Sequence, residues 1–409
     1  MMELLKTMSV TAVQEKMAAL CADMELAVEE VPLLKSLHRI VAAPVTSPRD
    51  VPEFNRSTVD GYALRAQDTF GASEGVPAML TKKGEVFMGT QADLVIGSGE
   101  CAYVPTGGML PKGSDAMVMV EYVESLDEKT LLVQQSVAPG ANLLRKGEDL
   151  QRSEVIFEKG HRLRPQDLGL LAGMGFQTIP VFVPLRVAVI STGDELISPE
   201  ETLTPGKIID MNTYSLYGAL QEDGFQIVGR EVVKDDLEIL QQTLGEYMKK
   251  ADVILISGGS SMGEYDITKK AIDSMGDPGV VVHGMSVKPG KPTIVGMVGG
   301  VLMIGLPGQP VSALVVYHLL MKPLLTFLTD NNQMTPSVAG RLTVNIPSAP
   351  GREHYVMVNL KKEEGQWLIY PQHGKSGMLS MMGRSQGMVK IPVNQEGLSK
   401  GDLVEVILF

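Results

Sequence analysis

The stretch 185–330 decides the fold, and it opens with LRVAVISTGDEL at residues 185–196. A Val/Ile-rich strand there runs into a polar loop, and a helix follows at 211–224 (MNTYSLYGALQEDG). The same order recurs through ADVILISGG at 251–259 and ends with VLMIGLPGQPVSALVVYHLLMKPLL at 301–325. Apolar strands that alternate with helices predict a parallel sheet covered on both faces, a three-layer α/β arrangement. Ligands bind such sheets beyond the carboxyl ends of the strands.

The sequence pattern is different on both sides of this stretch. Short β-prone runs separated by Gly, Pro and Asp fill residues 46–145, and short strands return after Pro336. These patterns predict a β-rich insertion and a C-terminal β-barrel. The predicted parts are an α/β domain of residues 1–26 plus 185–330, a small linking domain of 27–45 plus 146–184, a β-rich domain of 46–145 and a C-terminal β-barrel of 331–409.

Composition excludes several classes of protein. The 409 residues carry a net charge of −12, which argues against binding of DNA or anionic lipid through a general basic field. Two cysteines far apart make a disulfide framework, a zinc site and an iron–sulfur site improbable. The longest apolar stretch, 294–306, is shorter than the roughly 20 residues of a membrane-spanning helix. We therefore expect a cytoplasmic protein with no nucleic-acid or membrane partner.

Three predicted strand ends carry unusual loops: STGDE at 191–195, SGGSSMGEYD at 257–266 and GLPGQP at 305–310. A glycine-rich loop at a helix N-terminus exposes backbone N–H groups, which suits a phosphate. The second loop matches neither the dinucleotide-binding nor the Walker pattern, so the sequence gives no support for a dehydrogenase or a P-loop kinase. Each loop, taken alone, is equally compatible with an ordinary turn.

Charged residues in the same stretch favour metal-assisted chemistry. In VKPGKP, Lys288 and Lys291 are held by prolines and a glycine, an arrangement that suits an oxyanion and also an exposed basic turn. Carboxylates without His or Cys favour Mg²⁺ over zinc or copper, and Mg²⁺ usually works with substrate phosphates. The residues alone therefore predict a metal-assisted phosphoryl or nucleotidyl site. The carboxylates are Asp194, Glu195, Asp235, Asp236 and Asp266.

Seven motifs, in order, carry a family resemblance. They are STVDGYALR (57–65), PTGGMLPKGSDAMVMVE (105–121), NLLRKGEDL (142–150), VAVISTGDEL (187–196), ISGGSSMGEYD (256–266), VKPGKP (287–292) and GLPGQPVSA (305–313). Together they resemble MoeA, the molybdopterin molybdenumtransferase family, which is similar to the E domain of gephyrin. Two positions depart from the family pattern: Gly108 stands where Ala is frequent, and Gln309 where Asn is frequent.

The resemblance implies a fold and an activity. The family has an elongated, four-part protomer whose α/β part is similar to the adenylyltransferase MogA. Its members are homodimeric transferases that insert molybdate into adenylylated molybdopterin, with Mg²⁺-dependent release of AMP, to give the molybdenum cofactor. The implied site lies between the α/β part of one protomer and the β-rich part of the other. Implied protein partners are the MogA-like adenylyltransferase and molybdoenzymes.

The resemblance also assigns roles to residues. Glu195, Asp235 and Asp266 are the expected Mg²⁺ ligands. The expected catalytic residues are Asp60, Asp149, Glu195, Asp235, Asp266, Lys288 and Lys291. The expected substrate-binding residues are Thr106, Ser191, Thr192, Gly193, Ser257, Gly258, Gly259, Ser260, Gly263, Pro307, Pro310, Arg352 and Ser376.

Two other hypotheses stay open at this point. A gephyrin-like scaffold without catalysis would use the same fold to bind a partner, although it has no need for several acids at strand ends. An unrelated nucleotide-dependent transferase on a similar sheet would bind ATP in the absence of a pterin.

Overall fold

The structure is a computed structural model that describes residues 7–258, 267–331, 336–372 and 374–409. The helices are α1 Val10–Leu20, α2 Pro165–Gly173, α3 Asn212–Asp223, α4 Leu237–Tyr247, α5 Ile267–Ser274, α6 Pro310–Thr329 and α7 Leu379–Arg384. The strands are β1 Val28–Pro32, β2 Val45–Thr46, β3 Arg56–Ser57, β4 Gly61–Leu64, β5 Ala78–Glu85, β6 Glu100–Val104, β7 Ala116–Met119, β8 Val123–Ser125, β9 Thr130–Val133, β10 Leu143–Leu144, β11 Val155–Phe157, β12 Thr178–Phe182, β13 Arg186–Thr192, β14 Leu196–Ile197, β15 Ile208–Ile209, β16 Gln226–Val233, β17 Val253–Ser257, β18 Pro278–His283, β19 Val287–Lys288, β20 Ile294–Val298, β21 Val301–Leu306, β22 Ser337–Leu342, β23 Ile346–Pro347, β24 Glu353–Glu363, β25 Gln366–Pro371, β26 Gly387–Ile391, β27 Gly397–Leu398 and β28 Leu403–Leu408.

The chain divides into two compact units. The first contains residues 1–43, 159–165 and 178–409, and the second contains 44–158 and 166–177. The second unit is built around a six-stranded sheet in the order β7-β4-β6-β5-β9-β8, which confirms the expected β-rich insertion. The division into four domains with the boundaries given above stays a prediction.

The first unit contains the predicted three-layer α/β arrangement. Its sheet has the order β16-β13-β17-β21-β20-β18. Alternate residues of β13 enter different cores: Val187 and Val189 pack with α1, α3 and α6, whereas Ala188 and Ile190 pack with α4 and α5. Both faces of the sheet are therefore covered, as the near-continuous apolar strands predict.

One edge of this sheet differs from the expected parallel pattern. β20 runs antiparallel to both β21 and β18. The cause is the connection Gly299-Gly300, whose positive φ values of 56° and 81° form a two-residue hairpin. A hairpin joins antiparallel strands, because parallel neighbours need a longer crossover.

The last module of the first unit is a closed barrel. Strands β24, β25, β22, β28 and β26 pair in that order, and β26 pairs with β24 to close the ring. The short strand β19, which belongs to the α/β part of the chain, adds to β24 in parallel. This pairing joins the barrel to the α/β part.

The helix α6 is long and apolar enough to cross a membrane by length and composition alone. Its residues Val315, Val316 and Tyr317 are fully buried against the sheet, so it has the character of a core helix.

Candidate functional site

A cleft of about 1390 Å³ lies at the carboxyl ends of β13, β17 and β21, between this sheet edge and the barrel. In a parallel arrangement the three strands end at the same edge, so the loops that follow them meet there. Many of the expected site residues therefore line one cavity. They are Thr192, Glu195, Asp235, Ser257, Gly258, Lys288, Lys291, Pro307, Pro310, Arg352 and Ser376.

The loops after these strands approach each other closely at Gly258. This residue has φ +106°, and a Cβ atom there would lie 2.2 Å from the carbonyl oxygen of Thr192. Gly308 packs against it on the other side, since a Cβ at Gly308 would lie 3.7 Å from the Gly258 Cα. Glycine at 258 is thus required both by the backbone conformation and by the distance to the neighbouring loop.

Two buried polar atoms on the cleft lining have no hydrogen-bond partner among the described residues: Thr192 Oγ1 and Asn212 Oδ1. The Asn212 amide is fixed in orientation, because its Nδ2 donates to Gly308 O at 2.8 Å and to Ser257 Oγ at 2.7 Å. Buried polar atoms are nearly always paired in native proteins, since leaving one unpaired costs free energy. The two oxygen atoms are therefore placed to meet a bound ligand or a hydrated ion.

Below the lining, a buried hydrogen-bond network supports the end of β13. The Ser191 hydroxyl donates to Asp210 Oδ1 at 3.3 Å and lies 2.9 Å from Thr213 Oγ1. The Thr213 backbone N–H also donates to Asp210 Oδ1, at 3.2 Å. Ser191 is 1% exposed and lies beneath the cleft, so its contacts in this structure are with the network.

Acidic side chains occupy the α/β side of the cleft; Asp194, Glu195, Asp210 and Asp235 all line it. Gly193 leaves room for the Glu195 carboxylate, which lies 2.7 Å from the position that a Cβ at 193 would take. These carboxylates and the unpaired Thr192 hydroxyl are hard oxygen donors, which fit Mg²⁺. Among the described residues, however, no group of three or more His, Cys, Asp or Glu side chains is close enough to form a complete metal site.

Cationic side chains occupy the other side. β19 pairs with β24 so that Lys288 is opposite His354, and Lys288, Lys291, Arg352 and Lys375 all line the cleft. Burial, together with smaller contributions from the neighbouring positive charges of Lys288 and Arg352, lowers the pKa of His354 to about 4. His354 is therefore neutral at pH 7, so the positive charge of this wall comes from the lysines and the arginine.

A contact across the cleft mouth joins the GLPGQP loop to the barrel. The Ser376 hydroxyl donates to Gln309 Oε1, and the Val311 backbone N–H donates to Ser376 O at 3.3 Å. Gln309 is one of the two positions that depart from the family pattern, and in this structure its side chain makes a specific contact with Ser376.

The second unit brings two of its three expected residues together. Asp60 precedes β4 and Thr106 follows β6, and the Thr106 backbone N–H donates to Asp60 Oδ1 at 2.9 Å. The strands pair so that Gly61 is opposite Val104, which fixes this proximity. Asp149 lies in a different turn, where its backbone N–H donates to Val51 O at 3.0 Å.

Comparisons with known proteins match this architecture along the chain. The model of the MoeA N-terminal region (domain I and II) matches residues 8–175, a probable molybdopterin binding domain matches 188–326, and the MoeA C-terminal region (domain IV) matches 339–409. A putative molybdopterin biosynthesis protein of Methanocaldococcus jannaschii is 36% identical over 93% of this chain and 92% of its own length. The chain belongs to the MoeA family.

Further relatives of this MoeA-family chain agree with that assignment. Molybdopterin molybdenumtransferase 2 of Mycobacterium tuberculosis is 32% identical over 92% of this chain and 94% of its own length. The crystal structure of a molybdopterin biosynthesis MoeA protein from Pyrococcus horikoshii superposes with a TM-score of 0.85 at 31% identity, covering 99% of this chain and all of that chain. The match confirms the predicted fold class over the full length of the chain.

The structure of this MoeA-family chain thus gathers eleven of the expected residues in one cleft. Asp266, Gly259, Ser260 and Gly263 lie outside the described residues. The sequence analysis missed Asp210 and Asn212, which are buried and line the same cleft. A usable signal was present, since an Asp and an Asn flank the start of α3, where such side chains hydrogen-bond to backbone N–H groups.

Proposed function

We propose that this MoeA-family protein is a molybdopterin molybdenumtransferase. It inserts molybdate into adenylylated molybdopterin, and AMP leaves as the phosphoanhydride bond is broken. The observation that carries the proposal is the division of one cleft into an acidic wall and a basic wall. A substrate that carries a nucleotide phosphate and reacts with a metal oxyanion needs both kinds of wall in a single cavity.

The basic wall fits an oxyanion. Lys288, Lys291 and Arg352 present positive charge to the cleft, and Ser376 adds a hydroxyl at its mouth. Cations of one sign along a cleft attract an anion into it, and cations held in place stabilise its charge without having to reorganise. We assign molybdate to this wall as a substrate.

The acidic wall fits Mg²⁺ and the nucleotide end of the substrate. Glu195 and Asp235 of this wall, together with Asp266, are the proposed ligands. When bound, Mg²⁺ neutralises charge on the phosphate oxygens. The backbone of the loop that starts at Ser257 and Gly258 and continues through Gly259, Ser260 and Gly263 holds a phosphate, and Thr192 Oγ1 and Asn212 Oδ1 accept hydrogen bonds from the substrate.

The proposal includes a homodimer. Asp60, Thr106 and Asp149 belong to the second compact unit, and we propose that they complete the cleft of a second copy of the chain. Sedimentation measurements test the dimer. A mixture of Asp60→Asn and Lys291→Ala chains tests the sharing: mixed dimers regain activity in one of their two clefts if each copy supplies part of the site.

Release of AMP tests the function directly. The purified protein is incubated with adenylylated molybdopterin, Mg²⁺ and molybdate, and AMP is measured by chromatography. We expect AMP only when all three are present, and a loss of about 100-fold in Lys291→Ala. Lys249→Ala, an exposed lysine at the end of α4, is the matched control and keeps full activity.

Two results would contradict the proposal. The absence of AMP release from the wild-type protein would favour the scaffold hypothesis, and ATP hydrolysis without any pterin would favour an unrelated nucleotide-dependent transferase. Equal activity of Lys291→Ala and wild type would remove the oxyanion role from the basic wall.

A further inference from the structure

A second cavity, of about 400 Å³, lies between one face of α3, one face of α6 and the end of the barrel. Residues of α3 at spacings of three and four line one side, and residues of α6 at the same kind of spacing line the other. The residues that matter for its chemistry are Gly218, Asp223, Leu314, His318, Met357 and Phe409. Its volume is in the range of small-molecule sites.

The α3 wall of the cavity carries a small residue. A Cβ atom at Gly218 would have no atom within 4 Å, and this helical glycine has no positive φ that would require glycine. Glycine in a helix interior costs about 1 kcal/mol relative to alanine. A longer side chain at position 218 has room to extend from α3.

His318 lines this cavity with an imidazole whose pKa is strongly lowered. Burial lowers its pKa to about 3, with a smaller contribution from Lys322, so the imidazole is neutral at pH 7. Its ring stacks on Phe409 at a centroid distance of 5.1 Å and an interplanar angle of 25°. Within the described part of the chain neither ring nitrogen has a hydrogen-bond partner. A neutral imidazole carries one donor and one acceptor, so His318 can hydrogen-bond to a molecule that enters the cavity.

The charges around the cavity offset one another. Asp223 accepts a hydrogen bond from the Tyr317 hydroxyl at 2.8 Å and lies 3.7 Å from Lys322 Nζ. Glu222 lies at the rim, where its backbone carbonyl accepts a hydrogen bond from Arg162 at 2.7 Å. The lining thus carries two acids and one cation, and Asp223 is already engaged by Tyr317 and Lys322, so the cavity disfavours an anion and an uncharged occupant fits it.

We propose that this cavity binds an uncharged, flat aromatic molecule that hydrogen-bonds to His318. The walls suit such a molecule, because Phe409 offers a ring and Met357 a thioether, both of which pack well against aromatic faces. The proposed substrates of the main cleft are anionic, so this site selects a different class of ligand. The two cavities share only Val311 and Met357 in their linings.

Indole tests the proposal, because it is flat, uncharged and carries one N–H donor. Titration calorimetry on the full-length protein is expected to give a dissociation constant of about 0.5 mM for this small ligand. Naphthalene has a similar shape and no N–H, so we expect it to bind about fivefold more weakly. The proposal is contradicted if indole does not bind the wild-type protein, or if AMP and molybdate displace indole.

Variants locate the binding. Gly218→Leu fills the cavity and is expected to weaken indole binding at least about tenfold. Gly169→Leu, at a glycine of α2 that also has open space around its Cβ position, is the matched control and keeps wild-type affinity. His318→Phe preserves packing and removes the nitrogens, so it should bind naphthalene but lose the preference for indole. Unchanged indole binding in Gly218→Leu, or a retained preference in His318→Phe, overturns the proposal.

Discussion

The two walls of the main cleft differ in how they are built. The acidic wall follows the ends of buried strands, and the network around Asp210 and Asn212 fixes it from below. The basic wall comes from the VKPGKP loop and from the barrel, and it is held in place by the pairing of β19 with β24. The position of the acidic wall therefore depends on core packing, whereas that of the basic wall depends on a short strand pairing between the α/β part and the barrel.

The largest expected effect comes from Gly258→Ala. The new Cβ would lie 2.2 Å from the Thr192 carbonyl oxygen, at a φ that side chains disfavour, so the loop must move away from β13. A displacement of about 1 Å in a catalytic loop can cost about 100-fold in rate, and we expect a loss of that size in AMP release.

Gly308→Ala is the matched control for that change. Its Cβ would make only an ordinary 3.7 Å contact with Gly258, and its φ is not positive. We expect activity within about twofold of wild type. A similar loss in both variants would mean that the contact between the loops, and not the conformation at 258, sets the rate.

This pair of glycines illustrates how much the sequence predicts. The loop SGG at 257–259 and the acids Glu195 and Asp235 are visible as local patterns, because buried strands followed by polar loops mark a sheet edge. That a glycine at 258 is required by the neighbouring strand depends on a contact 66 residues away along the chain, and no local pattern contains it.

The same limit applies to Asn212 and to the closure of the barrel, but not to the antiparallel strand β20. Asn212 is recognisable only as a residue near a helix start, whereas its importance comes from bonds to Ser257 and Gly308. The antiparallel direction of β20 follows from the Gly299-Gly300 turn, because a two-glycine turn between two strands predicts a hairpin from the local sequence alone. The closure of the barrel by β24 and β26 joins residues far apart in sequence, and hydrophobic alternation alone does not encode which strands pair.

Removing one charge from each wall is expected to separate their roles. Lys291→Ala should raise the KM for molybdate about 10- to 100-fold and leave the Mg²⁺ requirement unchanged. Glu195→Gln, which keeps the side-chain shape, should raise the Mg²⁺ concentration needed for half-maximal AMP release and leave the KM for molybdate unchanged. Steady-state titrations of both substances in both variants check this, and a common shift in both would contradict separate walls.

Thr192→Val probes the unpaired hydroxyl of the acidic wall. The substitution removes a buried oxygen that has no partner in the part of the chain that the structure describes, so the free energy of unfolding should rise by about 1 kcal/mol. The affinity for the adenylylated substrate should fall about tenfold, because the ligand loses a hydrogen-bond partner. Denaturant unfolding and AMP release measure the two effects.

Thr213→Val is the control, because its hydroxyl is equally buried but lies 2.9 Å from Ser191 Oγ. This variant should lose about 1 kcal/mol of stability. If both substitutions stabilise the protein, or if neither does, then the presence of a hydrogen-bond partner does not determine what each hydroxyl contributes to the free energy of unfolding.

The smallest effect concerns the titration of His354 in the basic wall. Its pKa in the folded protein is about 4, below the ordinary value of 6.5. The neutral form is therefore favoured by folding, and this contribution to stability is complete above about pH 6.5 and is lost as the pH falls towards 4. Lys288→Gln removes a neighbouring positive charge, so we expect it to raise the pKa of His354. The pH range over which this stability is lost then becomes narrower.

A proton NMR titration of the His354 ring measures the shift. Glu195→Gln is the informative comparison, because it removes a negative charge from the opposite wall. If the walls are electrostatically separate, the pKa of His354 should be the same in Glu195→Gln as in the wild-type protein. A decrease in Glu195→Gln as large as the increase in Lys288→Gln would mean that the acids already offset the positive potential at His354. The cleft would then act as one electrostatic unit, and oxyanion binding would depend on Glu195 as much as on the lysines.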